Sequence, residues 1–363
     1  MCPPNGAQRL IAQGPLVYNH MQTARFDFSG AAIVNWSQLL EAPSHHPFAE
    51  VWWLAQERDC LVIDAGEAAM PTSPEKIASL SSWLRALPCP VVALAPVSVC
   101  NAALSACDTR TARPEEAASI ARNCRRSPLA ALALVHVLRM TENLCPEHGL
   151  TIESLAYATL QAGPEFSRWR EEYVSSPSLP DEGPAVCLER HAAQLSIRLS
   201  RPRAHNALNI AMRDALVEAF DLVSSDASIT MATVSGAGRC YSIGGDLNEF
   251  GQRPDAPSAH RIRSLRNPAL SLLRCARRVD FRLHGACIGS GIELPAFGRR
   301  ISAHHDAYFQ LPELKLGLIP GSGGCVSLPR RIGRQRTALL ALTGRRLRAS
   351  EALEWGLVDE LVD

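Results

Sequence analysis

The chain has 363 residues and a mass of 39.4 kDa, which is room for two domains of ordinary size. Hydrophobic residues make up 47% and charged residues 20%, so a packed core is expected and wholesale disorder is excluded. Net charge is +1, from 37 basic and 36 acidic side chains, which argues against a nucleic-acid partner.

Taken in chain order, Met1 to Tyr18 holds Pro3, Pro4 and Gly14 and lacks the apolar segment of a secretory leader. Cys60-Leu-Val-Ile-Asp64 reads as a strand, Pro74 to Leu87 as a helix, and Val91-Val-Ala-Leu-Ala95 as a second strand. After Asp108 the character becomes helical, over Glu115–Asn123, Ser127–Asn143, Leu150–Gln161 and Pro164–Tyr173. Pro128 and Pro164 sit where a first helical turn tolerates them. The segment Val174-Ser-Ser-Pro-Ser-Leu-Pro-Asp-Glu-Gly-Pro184 reads as a linker. The expected division is therefore a first domain over 1–175, a linker over 176–186 and a second domain over 187–363.

The second half is more regular. Leu195, Ile197 and Leu199 alternate with polar residues and predict a strand. Leu208, Met212, Leu216, Ala219, Phe220 and Val223 fall on one helical face. Ile229 to Ser235 and Phe281 to Leu283 predict further strands, and a helix is expected from the glycine turn near Gly289 through Phe297. Strands alternating with helices give an α/β fold.

Three segments carry chemistry. In Gly236-Ala-Gly-Arg-Cys-Tyr-Ser-Ile-Gly-Gly-Asp-Leu247 the spacing of a dinucleotide fingerprint fails, because Tyr241 takes the last glycine position. The pair Gly244-Gly245 still offers backbone N–H groups to an anion or a carbonyl oxygen, since no Cβ blocks the approach. In Gly285-Ala-Cys-Ile-Gly-Ser-Gly-Ile-Glu293 a glycine turn runs into a helix start, with free N–H donors near Ser290. One donor from each loop would form an oxyanion hole. In the third segment Glu313 sits among Leu311, Pro312, Leu314 and Leu316, where desolvation would tune its pKa for proton transfer.

Together these segments resemble the crotonase superfamily, the enoyl-CoA hydratases and isomerases. The matching residues are Arg201-Pro-x-x-x-Asn206-Ala-Leu-Asn209, then Gly238-Arg-x-Tyr-Ser-x-Gly-Gly-Asp-Leu247 and Gly285-x-x-x-Gly-x-Gly-x-Glu-Leu294. Phe309-x-x-Pro-Glu-x-x-x-Gly-Leu-Ile-Pro-Gly-x-Gly-Gly324, Thr343-Gly344 and Ala352-x-x-x-Gly-Leu-Val358 complete the series. The resemblance implies a crotonase-like ββα-spiral core with an additional α-helical region, acting on an acyl-CoA thioester. It maps the oxyanion hole onto the amides of Gly245 and Ser290 and the two hydratase glutamates onto Glu293 and Glu313. It places coenzyme A along Arg203, Ala204, Ala207, Asp246 and Leu247. Coenzyme A is then part of the substrate, and no separate cofactor or metal is implied. A trimer-based homo-oligomer is expected.

Two departures stand out. Ser290 occupies a position that is glycine in many members. Members also continue beyond Gly356-Leu-Val358 with helices that cover the acyl pocket and help to build the trimer. Helices of that kind stand earlier, at Ser127–Arg139 and Gly149–Phe166. The region before them looks like a degenerate copy of the core. Aligning Leu94 with Leu283 sets Val99-Cys100-Asn101 against Ile288-Gly289-Ser290 and Leu104 against Glu293. The first copy is thus expected to be catalytically dead and to donate helices from roughly 115–173 to the second.

Only Lys76 and Lys315 are lysines, so the CoA phosphates would be met by arginine or backbone N–H groups. The twelve cysteines form no C-x-x-C pair and read as free thiols of a reducing cytoplasm. No run of about 18 apolar residues occurs, so no membrane partner is expected. The function expected is hydration of a 2-enoyl-CoA. Δ-isomerisation, other chemistries on the same oxyanion hole, and a non-catalytic acyl-CoA-binding subunit are the alternatives.

Overall fold

The computed structural model describes residues 26–45, 48–54, 58–65, 73–96, 102–175, 183–252 and 255–363. The chain separates into two compact units, Met1–Arg139 and Met140–Asp363. This division falls before the proline-rich segment that the composition singles out. Proline and serine mark where a chain need not fold, whereas unit boundaries follow packing. Of the expected linker only 183–186 is described, and Val99, Cys100 and Asn101 lie outside the described residues.

The first unit is a four-stranded sheet in the order β1 (Ala31–Asn35), β2 (Cys60–Asp64), β3 (Val91–Leu94) and β4 (Thr109–Thr111), parallel throughout. Its helices are α1 (Trp36–His45), α2 (Ala49–Leu54), α3 (Pro74–Ala86), α4 (Ala102–Ala106), α5 (Pro114–Arg126) and α6 (Pro128–Thr141). The unit boundary runs through the end of α6. Leu61, Ile63, Val91 and Ala93 are buried with Trp36, Leu80, Leu84 and Leu87, and this apolar burial supplies the stabilisation. A charged pair is enclosed beside it. Asp108 accepts from Arg139 through Nε at 2.8 Å, while the guanidinium also donates to the carbonyls of Leu87 and Cys89. A buried carboxylate persists only with such complete pairing.

The second unit opens with α7 (Pro146–Gln161) and α8 (Pro164–Glu172). The hairpin β5 (Val186–His191) and β6 (Gln194–Leu199) follows, then α9 (Ile210–Ser225) and β7 (Met231–Gly236). Next come α10 (Ala256–Leu265), α11 (Pro268–Cys275), β8 (Val279–Leu283), β9 (Ala286–Ile288) and α12 (Ser290–Glu293). The chain ends with β10 (Arg300–His304), β11 (Tyr308–Gln310), α13 (Gly324–Ile332), α14 (Arg334–Thr343), β12 (Leu347–Arg348), α15 (Ala349–Trp355) and β13 (Glu360–Val362). One sheet has the order β13-β10-β8-β7-β6-β5 and is parallel except for the β5–β6 hairpin. A small second sheet has the order β12-β11-β9. Two sheets with interleaved helices form an α/β fold with added helices, as the resemblance to the crotonases implies.

Local sequence explains these elements. Leu195, Ile197 and Leu199 of β6 are buried in strict alternation with exposed neighbours. Asn209 caps α9 by accepting the amide of Met212, and Met212, Leu216, Ala219, Phe220 and Val223 turn inward. The helix expected through Phe297 instead stops at Glu293 and gives way to a 3-10 turn over Pro295–Phe297. Pro295 has no N–H to continue the helical ladder.

Candidate active site

Two loops and a helix start build the site. Asn206 is fully buried, and its Nδ2 donates to the carbonyls of Ala237, Cys240 and Tyr241 at 2.8–3.0 Å. Its Oδ1 accepts from the amide of Arg201 at 2.9 Å. One side chain therefore ties the 201–209 loop to the glycine loop after β7. Both His205 and Asn206 take positive φ, +51° and +54°, a region that asparagine tolerates better than most residues. The main chain then pairs in parallel, with Leu208 N donating to Gly244 O at 2.7 Å and Asp246 N donating to Leu208 O at 3.0 Å.

The same glycine loop is stitched to β9. Ser242 N donates to Ala286 O at 3.1 Å, and Ile288 N donates to Ser242 O at 3.0 Å. A Cβ on Gly244 would lie 2.9 Å from Ile288 O, so the loop reaches this position because residue 244 has no side chain. Gly245 and Gly289-Ser290 thereby face one cavity. Among the described residues, neither the amide of Gly245 nor that of Ser290 has a protein acceptor.

The two glutamates predicted from the sequence meet at Gly289. A Cβ built there would fall 2.6 Å from Glu313 Oε1 and 3.7 Å from Glu293 Oε1. Gly289 also adopts φ +53° and ψ −122°, a conformation open to glycine. Glu293 is 2% exposed, and its Oε2 accepts from the amides of Ser322 and Gly324 at 2.7 and 2.9 Å. Burial pushes its pKa up to about 7 against the opposing pull of those amides and of Arg263. Glu313 is half-buried, but its Oε2 is closed to water and has no hydrogen-bond partner. Burial first, and the neighbouring Glu293 second, hold its carboxyl well above the usual range.

A third carboxylate escaped the sequence reading. Glu153 of α7 is 1% exposed and accepts from the amides of Gly323 and Cys325 at 2.7 and 2.9 Å. Burial, then repulsion from Glu293, raises its pKa to about 8. The available signal was its spacing. Gly149, Glu153 and Tyr157 recur every four residues on the buried face of a helix, where an acid needs a partner. Arg263 of α10 was missed as well. Its guanidinium stands 4.1 Å from the Tyr157 ring centroid and donates to Gly321 O.

The cavity has a volume of about 1240 Å³, and Gly245, Ser290, Glu293 and Glu313 line it. Arg203, Ala204, Ala207, Asp246 and Leu247, the residues expected to hold coenzyme A, line it too. Asp246 is not free for a ligand. Its carboxylate takes Arg201 at 3.2 Å and caps the turn at Leu247–Glu249. Tyr157 of α7 and Phe166 and Tyr173 at α8 complete the wall, backed by Trp169, which lies 5.4 Å from Phe166 and 5.0 Å from Tyr173 between ring centroids.

A family model described as enoyl-CoA hydratase/isomerase matches residues 189–363. The chain is 32% identical over 176 residues to the mevalonyl-coenzyme A hydratase of Beauveria bassiana, a match covering 46% of this chain and 63% of that protein. It is 34% identical over 179 residues to the carnitinyl-CoA dehydratase of Proteus mirabilis, covering 48% of this chain and 67% of that one. Among solved structures, the enoyl-CoA hydratase of Thermoplasma volcanium aligns at 34% identity with a TM-score of 0.47, over 50% of this chain and 73% of that chain. The chain belongs to the enoyl-CoA hydratase/isomerase family, the crotonase superfamily. It spans less than two thirds of the length of the first of these relatives. The family match lies wholly within the second unit, and α7 and α8 precede it in sequence.

Proposed function

We propose that this chain acts on an acyl-CoA thioester and hydrates a 2-enoyl-CoA. The observation that carries the reading is the convergence of Glu293 Oε1 and Glu313 Oε1 on Gly289, next to the unengaged amide of Ser290. The thioester oxygen would lie between the amides of Gly245 and Ser290. Water oxygen then bonds to C3, the C2–C3 π pair moves toward C1, and negative charge gathers on the thioester oxygen. Fixed amides stabilise that oxyanion more than the ground-state carbonyl, which lowers the barrier. Glu293 and Glu313 hold the water, remove its proton and return a proton to C2.

The electrostatics suit this division of labour. Burial raises both carboxyls, and the charge of Glu293 raises Glu313 further, so the pair favours one protonated and one ionised member, an acid beside a base. The charge at the CoA end would be met by Arg203 with the amides near Leu247. The assembly proposed is a homo-oligomer built on trimers, tested by light scattering. No described helix is long and apolar enough to cross a membrane.

The test follows loss of the conjugated thioester band of crotonyl-CoA and its homologues. Glu293→Gln and Glu313→Gln should each lower kcat by about 10²–10⁴-fold with little change in KM. A second reading, Δ-isomerisation, is favoured by Glu313 Oε1 at the Gly289 turn, which could carry a proton between C2 and C4 alone. Under that reading 3-enoyl-CoA is converted to the conjugated isomer, and Glu293→Gln leaves the rate nearly unchanged. Ligand binding without turnover of either substrate would leave a binding subunit.

A further inference from the structure

Arg263 lines the cavity together with Glu293 and Glu313. It projects from α10 and rests on the Tyr157 ring, and Tyr157 packs on Gly321 beside the Glu293 cap. A guanidinium carries five N–H donors. One nitrogen, Nη2, donates to Gly321 O. Among the described residues no acceptor engages Nε, which is closed to water, and none engages Nη1. Among the described residues it forms no ion pair either, although Glu153 and Glu293 both feel its charge. Both oxygens of Glu153 and Oε2 of Glu293 accept from the amides of Ser322, Gly323, Gly324 and Cys325.

The surroundings give this cation a use. Ala259 and Ile262 of the same helix, with Leu294, add apolar surface to the cavity lining. An acyl chain ending in a methyl group would leave the guanidinium desolvated with donors unmade, a net cost. An acyl chain ending in a carboxylate would accept two parallel N–H bonds, the geometry that arginine offers best. The arginines near the oxyanion loop, Arg201 and Arg203, line the part of the cavity assigned above to coenzyme A. Arg170, Arg213 and Arg266 line the cavity as well, and Arg263 is set apart by its bond to Gly321 O and its seat on Tyr157 beside the Glu293 cap, which places it for the acyl end of a substrate.

We propose that Arg263 is a specificity residue that binds a carboxylate at the distal end of the acyl group, so that the substrate class is the mono-CoA thioester of a dicarboxylic acid. This rests on the acyl-CoA reading above and names the substrate class of that site.

The test is calorimetric titration of the full chain with saturated acyl-CoAs, which bind without reacting. One series carries a terminal carboxylate and the other a terminal methyl, each spanning four to eight acyl carbons. At the best chain length the carboxylate should bind at least tenfold more tightly, about 1.4 kcal/mol. Arg263→Met should erase that preference, weakening the carboxylate series and, with no guanidinium left to desolvate, tightening the methyl series, and Arg263→Lys should keep part of it. Equal or tighter binding of the methyl series by the unaltered protein overturns this inference and leaves the acyl-CoA reading intact. Failure of both series to bind overturns both. A preference that persists in Arg263→Met also overturns it, and should that variant not fold, the unaltered protein and Arg263→Lys still decide.

Discussion

Glu153 and Glu293 cap one helix start from two different elements. Glu293 takes the amides of Ser322 and Gly324, and Glu153 takes those of Gly323 and Cys325, so alternate amides at the start of α13 go to alternate carboxylates. The partial positive charge of a helix N-terminus and four N–H donors offset part of the cost of burying two acids. Glu293, with its pKa at about 7, ionises while Glu153, at about 8, still holds its proton, so the repulsion falls mainly on Glu153, which acts as a positioning residue through the shared helix start. Replacing Glu153 by Gln keeps a neutral side chain there and should leave the inflection of kcat/KM near pH 7 in place while removing the further change that ionisation of Glu153 brings near pH 8. A merely structural loss would lower the rate at every pH and leave both inflections. The pH–rate profile of E153Q, beside that of the unaltered protein, separates the two.

The same acids make stability depend on pH. Both carboxyls hold their proton more tightly folded than unfolded, with pKa raised from 4.5 to about 8 for Glu153 and about 7 for Glu293. Their contribution is fully present below pH 4.5 and is lost as pH rises through 7 and 8. Melting temperature should therefore fall between pH 5 and pH 9, and the slope should flatten in Glu153→Gln. Thermal unfolding followed by calorimetry across that range checks it.

Gly289 is constrained twice, by its dihedral angles and by Glu313 Oε1. Gly333 has a positive φ of +80° but nothing within 4 Å of a built Cβ. Alanine at either position should cost about 1–3 kcal/mol of backbone strain. Only Gly289→Ala should also displace the Glu313 carboxylate and abolish turnover. Paired measurements of melting temperature and kcat distinguish strain from steric displacement.

Asn206 serves four main-chain groups at once. Asn206→Ala leaves three carbonyls and one amide without it, at about 1–3 kcal/mol for each that stays dry. A loss of several kcal/mol in urea unfolding is expected, together with a rise in the KM of the CoA substrate, because the loops bearing Ala207 and Gly245 come apart.

Helices α7 and α8, which precede the family match, form one wall of the cavity. A chain of 176–363 lacks Glu153, Tyr157 and Phe166, so Gly323 and Cys325 lose their acceptors and the cavity loses a wall. It should show no measurable turnover alone and regain it when mixed with a 1–175 chain. Full activity of 176–363 by itself would show that α7 and α8 are dispensable.

By itself the sequence determined the family and the candidate acids, because those depend on residue type at fixed spacing. Glycines with positive φ, the pair Asn206 and Asp246, and the glutamates after Gly291 and Pro312 are all local requirements of turns and helix starts. Strands with strict alternation, such as β6, were legible for the same reason. Only the tertiary structure decided which distant residues share the cavity. Glu153 lies 140 positions before Glu293 in the chain, and nothing in its own segment tells whether its helix face meets apolar side chains or the open amides of α13. Arg263 is likewise an unremarked arginine among many until the fold sets it on Tyr157, with Nη2 on Gly321 O and Nε without an acceptor. Partners that are local in space but remote in sequence leave no periodic trace, so packing alone assigns them.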